Sequence, residues 1–163
     1  MLVAREQLRF VEALIAQFGE RAFAMQPMET IQARYIAIVS MLRSIGHVFR
    51  KVDCDTPAKR AWADDQWSSH WSGEAIFREF IEPNRNALLK EFRGGLTLRS
   101  PGMSSSAFVA NPGHPEGCST VVDFDAVECR DSQGRLVLPL FKLAVSFWDR
   151  MLKRAEVEWK VGQ

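Results

Sequence analysis

The chain has no long apolar run, no obvious cysteine pairing and no excess of either charge, and each shortfall excludes something. No apolar stretch approaches the ~20 residues that a helix needs to cross a bilayer, so no membrane span is expected. The amino terminus carries Arg5, Glu6 and Arg9 where a signal peptide needs an apolar core. Cysteine is scarce and odd in number, Cys54, Cys118 and Cys129, with no CxxC spacing. That favours reduced thiols in a cytoplasmic protein over a disulfide framework. Lys plus Arg number 21 against 20 Asp plus Glu, a net charge of +1, which argues against a globally basic nucleic-acid binder and leaves room for a local basic face. The common catalytic signatures are missing as well: there is no Walker loop, no GxGxxG after a strand, no HExxH and no GxSxG. His47, His70 and His114 are not spaced with a serine or cysteine to suggest a triad. His70 and Glu74 would share a helical face, but a metal site needs three or four ligands and neither Asp64 nor Asp65 supplies one at a convincing spacing. Neither a metal nor a cofactor is expected.

What remains is a chain of 163 residues, 47% hydrophobic and 25% charged, which fits one globular domain spanning 1–163. Helical periodicity dominates it. Leu8, Val11, Ile15 and Phe18 form one stripe, with Gly19 as a stop. Ile31, Tyr35, Ile38, Leu42, Ile45, Phe49 and Val52 alternate spacings of four and three, the pattern of a bundle seam. Beside it a row of small residues from Ala33 to Ser44 invites a close neighbour. Arg43, His47 and Arg50 cluster at the end of that helix, either as a solvated basic end or as a patch facing a phosphate. Thr56-Pro57 starts a short helix. Trp62, Trp67 and Trp71 follow, suited to closing a core or an interface, or, with Lys59 and Arg60, to stacking bases. Residues 93–119 read as a long Gly-, Pro- and Ser-rich loop. Thr120–Cys129 and Arg135–Leu138 read as a β-hairpin, and Pro139 opens a last helix whose wide apolar face includes Phe141, Val145, Trp148 and Leu152.

The stretch Ser72–Phe92 organises the rest. Phe77, Ile81, Arg85, Leu88 and Phe92 form one stripe, with Pro83 predicting a kink and an arginine amid apolar neighbours. A buried guanidinium must be paired, so Arg85 is expected to be largely buried against a carboxylate, a helix C-terminus or an anionic ligand.

The run Arg85-Asn86-Ala87-Leu88-Leu89-Lys90 resembles the signature of the HEPN superfamily, an arginine, often followed by a polar residue, with a histidine four to six residues on. The resemblance implies a small all-helical bundle that dimerises so that two motifs face one cleft. It also implies a metal-independent ribonuclease ancestry, often in toxin–antitoxin or phage-defence systems. Arg85 would hold the scissile phosphate and Asn86 would orient it. Lys90 stands where the histidine belongs, and an ammonium with an ordinary pKa of about 10.4 is no general base at neutral pH. The implied protein is therefore a catalytically degraded relative that binds RNA or a protein partner. The alternatives are an active ribonuclease using Arg85 with His47 or Lys90, and a structural module of another family. The expected architecture is all-α: a four-helix bundle with a short extra helix and a small β-hairpin insertion, assembled as a homodimer through the tryptophans and the last helix.

Overall fold

The computed structural model describes residues 1–18, 26–90, 96–99 and 128–161. These are mostly helical, and none of the helices is long and apolar enough to cross a membrane. Helix α1 spans Val3–Phe18 and α2 Met28–Val48. The expected seam of α2 is buried from Ile31 through Phe49. Val52 is exposed instead, because α2 runs on into a π-helical turn, Phe49–Asp53, closed by Cys54 N–H donating to Phe49 O at 3.0 Å. A π turn holds one residue more than an α turn, so the face swings round after it. Asp53, at the end of this turn, accepts from the backbone N–H groups of Val3 and Ala4 at 2.7 and 2.9 Å. A carboxylate from one helix end thereby caps the start of another.

Thr56 and Pro57 start α3, Pro57–Gln66, as expected: Thr56 Oγ1 accepts from Lys59 N–H at 3.3 Å. A second π turn, Trp67–Trp71, continues it. The expected single helix over Ser72–Phe92 is divided. Ser72 and Gly73 form a turn, a third π turn spans Phe77–Ile81, and α4 is Glu82–Lys90. Pro83 has no N–H for the carbonyl of Glu79, four residues back. Arg135 takes that carbonyl instead, from Nη1 at 3.2 Å and Nη2 at 3.3 Å. Asn84 helps in the same region: its Nδ2 donates to Phe80 O at 2.9 Å, and its Oδ1 accepts from the buried Tyr35 hydroxyl at 3.0 Å.

Strand β1, Thr97–Arg99, pairs antiparallel with β2, Glu128–Arg130, placing Leu98 opposite Cys129. The expected hairpin is thus corrected. Its second strand is reduced to one bridge, Arg130 with Leu136, across a turn where Gly134 has φ 77°. The last helix, α5, starts at Val137 rather than after Pro139. Proline in its first turn is no obstacle, since no intrahelical acceptor exists there for its missing N–H. The expected stop at Gly19, the 93–119 loop apart from its residues 96–99, the strand residues before 128, and Phe92 lie outside the described residues.

Helix α1 packs on α2 and α5, and α4 packs on α2. Gln7 of α1 donates to Ser44 of α2, using the small-residue row as the sequence suggested. Ile31, Ile38, Leu42, Ile45, Phe77, Ile81, Leu88, Trp148 and Leu152 are buried as expected, while Val145 is half-buried at the edge. Phe141 of α5 sits at the centre, with Phe18, Tyr35 and Phe80 ring centroids 5.5, 5.9 and 6.0 Å away. Cys54 is fully buried, which, with neighbouring Asp53, pushes its thiol up to about 11.

Candidate functional site

Two patches that are separate in sequence meet at one end of α2. Arg43, His47 and Arg50 come from α2 and its π turn. Trp62, Asp64, Gln66, Trp67 and Trp71 come from α3 and the π turn that continues it. Together with Gly46 and Met151 they line a cavity of about 320 Å³. The short link between α2 and α3 folds one back towards the other, so the basic tail of the first faces the tryptophans of the second.

The walls are held from behind by the core. Trp67 lies parallel to Trp148 at 6.3 Å and edge-on to Phe77 at 4.7 Å, and Trp71 meets Phe147 edge-on at 5.8 Å. Trp62 leans on Trp159 at 5.8 Å, which itself stacks on Phe49 at 5.4 Å. The expectation that the tryptophans close the core is met inside one chain, yet Trp62 and Trp67 stay half-buried and keep indole surface for the cavity. Lys59 and Arg60 do not join them. Lys59 pairs with Asp55 at 2.8 Å and lies over Trp159, and Arg60 donates to Cys54 O at 2.9 Å.

The rim carries two arginines, each paired with a carboxylate. Arg50 grips Asp64 with two bonds, at 2.6 and 2.8 Å, and these hold the Asp64 carboxyl below its usual range. Arg43 is 3.8 Å from Glu82 and its guanidinium lies 5.3 Å above the Phe77 ring. Both pairs are solvent-exposed and so worth little individually, which leaves the guanidinium groups available to a stronger anion. His47 is exposed on the same rim. Behind the wall two buried polar atoms, Gln66 Oε1 and Trp71 Nε1, have no hydrogen-bond partner among the described residues.

The signature on α4 lies apart from this cavity. Arg85 is half-buried and donates from Nη1 to Asn86 Oδ1 at 3.1 Å, with no carboxylate against it among the described residues. The expected buried ion pair is therefore not at Arg85. Lys90 is exposed, and neither it nor Arg85 nor Asn86 lines the cavity that His47 borders. The buried arginine pairs are elsewhere: Arg135 with fully covered Asp131 at 2.8 Å, and Arg5 with Asp149 at 2.5 Å and Glu156 at 3.1 Å. Glu74 pairs with Arg150 at 2.5 Å, away from any shared ligand with His70, and no three potential metal ligands gather among the described residues. Gln66 was not singled out by sequence reasoning. Its only advance signal was a position one turn before Trp71, on the helix carrying the tryptophans. No protein-family model, curated protein or solved structure matches this chain.

Proposed function

We propose that this chain is a non-catalytic, HEPN-like helical-bundle domain that binds single-stranded RNA, in the cytoplasm and as a homodimer, in a toxin–antitoxin or phage-defence setting. The observation that carries the RNA reading is the meeting of Arg43, His47 and Arg50 with Trp62 and Trp67 around one cavity. Single-strand binders combine cations that track the phosphates with aromatic rings on which bases stack, each stacked base contributing about 1–3 kcal/mol. The near-neutral net charge suits a local patch of this kind rather than a basic surface. That neither Arg85 nor Lys90 lines the cavity His47 borders supports binding over cleavage, since a general base must reach the proton it removes. Exposed Leu143 and Val157 on α5 and Phe10 on α1 support a second copy as a partner; sedimentation at micromolar concentration should then show a dimer.

The test is fluorescence anisotropy with a labelled single-stranded RNA. Binding should weaken steeply as salt rises, and the double variant His47→Ala with Arg50→Ala should bind several-fold more weakly while Arg85→Met binds as the parent does. The RNA should remain intact. Binding that ignores the double variant, or cleavage abolished by Arg85→Met, would overturn the reading.

A further inference from the structure

We infer that the cavity between α2 and α3 is a pocket for one nucleotide, with the phosphate at the rim arginines in place of their carboxylate partners and the base held against the tryptophans and read by Gln66 and Trp71. The inference rests on the RNA reading only for where that nucleotide comes from; a free nucleoside monophosphate and one unit of an RNA strand offer the same chemistry. A volume of about 320 Å³ lies near the lower bound of small-molecule sites, about 300–1,000 Å³, and suits a ligand of this size.

The two partnerless atoms carry the argument beyond electrostatics. Gln66 and Trp71 are each more than nine-tenths buried and both residues line the cavity. Buried polar atoms are nearly always satisfied; of the six without a partner among the described residues, these two belong to residues that line one cavity. Gln66 Nε2 donates to Asp65 Oδ2 at 3.2 Å, which fixes the orientation of the amide and leaves Oε1 as the unused end. The pair therefore offers one acceptor, Gln66 Oε1, and one donor, Trp71 Nε1–H. The Watson–Crick edge of every nucleobase presents a donor next to an acceptor, so a base entering by that edge complements them, and no hydrogen bond is lost in the exchange because neither atom has a partner among the described residues. Both atoms are covered, so contact with a base requires the side chains in front of them to turn aside. The adjoining π turn, Trp67–Trp71, one of three among the described residues, is a form of backbone that is frequent at functional sites.

The experiment is a tryptophan-fluorescence titration of the full chain with adenosine and uridine 5′-monophosphates, the two nucleosides, inorganic phosphate and a short single-stranded RNA. Three proteins are compared: the parent, Gln66→Met and Arg50→Ala. Gln66→Met keeps volume and removes the acceptor. The monophosphates should bind, with nucleosides and phosphate each much weaker. Gln66→Met should lose roughly tenfold in nucleotide affinity while its melting temperature holds or rises, since an orphaned acceptor is gone. Arg50→Ala should lose affinity for the monophosphates and leave the nucleosides unchanged. A lowered melting temperature with unchanged nucleotide binding in Gln66→Met would make Gln66 structural and overturn the pocket. RNA binding without monophosphate binding, and insensitive to Gln66→Met, would also overturn it while leaving the RNA reading intact. Monophosphate binding that RNA cannot displace would uphold the pocket, assign it to free nucleotides and sink the RNA reading. Binding of neither probe overturns both.

Discussion

A single missing methyl group shows what one residue does here. Glycine inside a helix costs about 1 kcal/mol relative to alanine, so Gly46 in α2 reads from the sequence only as a weak point. In the structure a Cβ at that position would lie 2.7 Å from Cη2 and 3.2 Å from Cζ3 of Trp148, a fully buried indole with nowhere to retreat. Gly46→Ala therefore sets a propensity gain against overpacking of about 1–3 kcal/mol, and a net loss of about 1 kcal/mol is expected in denaturant unfolding. Gly73→Ala is the control, because nothing lies within 4 Å of its Cβ position, and it should be neutral or slightly stabilising. A stabilised Gly46→Ala would mean that Trp148 is not fixed there. Arginines were the least legible residues. Stripe position singled out Arg85, yet the covered ion pairs belong to Arg5, whose own side chain is largely buried, and to Arg135, whose partner Asp131 is fully covered, and neither arginine occupies a special place in the apolar pattern. Pairing depends on what faces a residue from another element, and a one-dimensional period does not carry that.

At the scale of elements, the long seams were readable and the π turns were not. The seam from Ile31 to Phe49 needs only a sustained period, whereas a π turn adds one residue without changing composition, so Val52 falls off the seam while Ile81 and Leu88 keep their expected buried places. The turn before Pro83 also hides a dependency between distant segments. Glu79 O, left without its usual donor by Pro83, is served by Arg135, whose guanidinium also holds Asp131 and lies 5.7 Å above the Phe80 ring. Arg135→Met should orphan the carbonyl and leave Asp131 covered without its cation. Asp131 still accepts from Gln133 N–H and Arg135 N–H at 2.9 Å each, so the cost should fall below the 3–5 kcal/mol of a fully broken buried pair, at about 2 kcal/mol. Arg85→Met, on the neighbouring turn, should stay within about ±0.5 kcal/mol. Equal losses from the two variants in urea unfolding would refute this assignment of the structural arginine. The candidate site was legible in halves: the basic trio and the tryptophans both stood out, but their meeting depends on how α3 folds back on α2.

On the scale of the molecule, the first and last long helices are tied by a charge cluster that no sequence pattern announced. Arg5 of α1 reaches Asp149 and Glu156 of α5, and Lys153 adds a bond to Asp149 at 2.8 Å. Lys153 first, and Arg5 with it, outweigh desolvation and hold the Asp149 carboxyl below its usual range. A carboxyl whose pKa is lower in the folded state binds its proton more readily when unfolded. Stability from it is therefore complete above the unfolded value of about 3.9 and is lost as pH falls through the lower folded value. Asp149→Asn keeps the shape and removes the charge. The melting temperature of the parent should exceed that of Asp149→Asn at pH 7, and the gap should close as both are taken down through pH 4 and below. Added salt should narrow the gap at pH 7 only in part, because Arg5 is 11% exposed and screened less than a surface charge. A gap that persists unchanged in acid would show that Asp149 acts through packing, and that the clamp between α1 and α5 is apolar contact with the charges as bystanders.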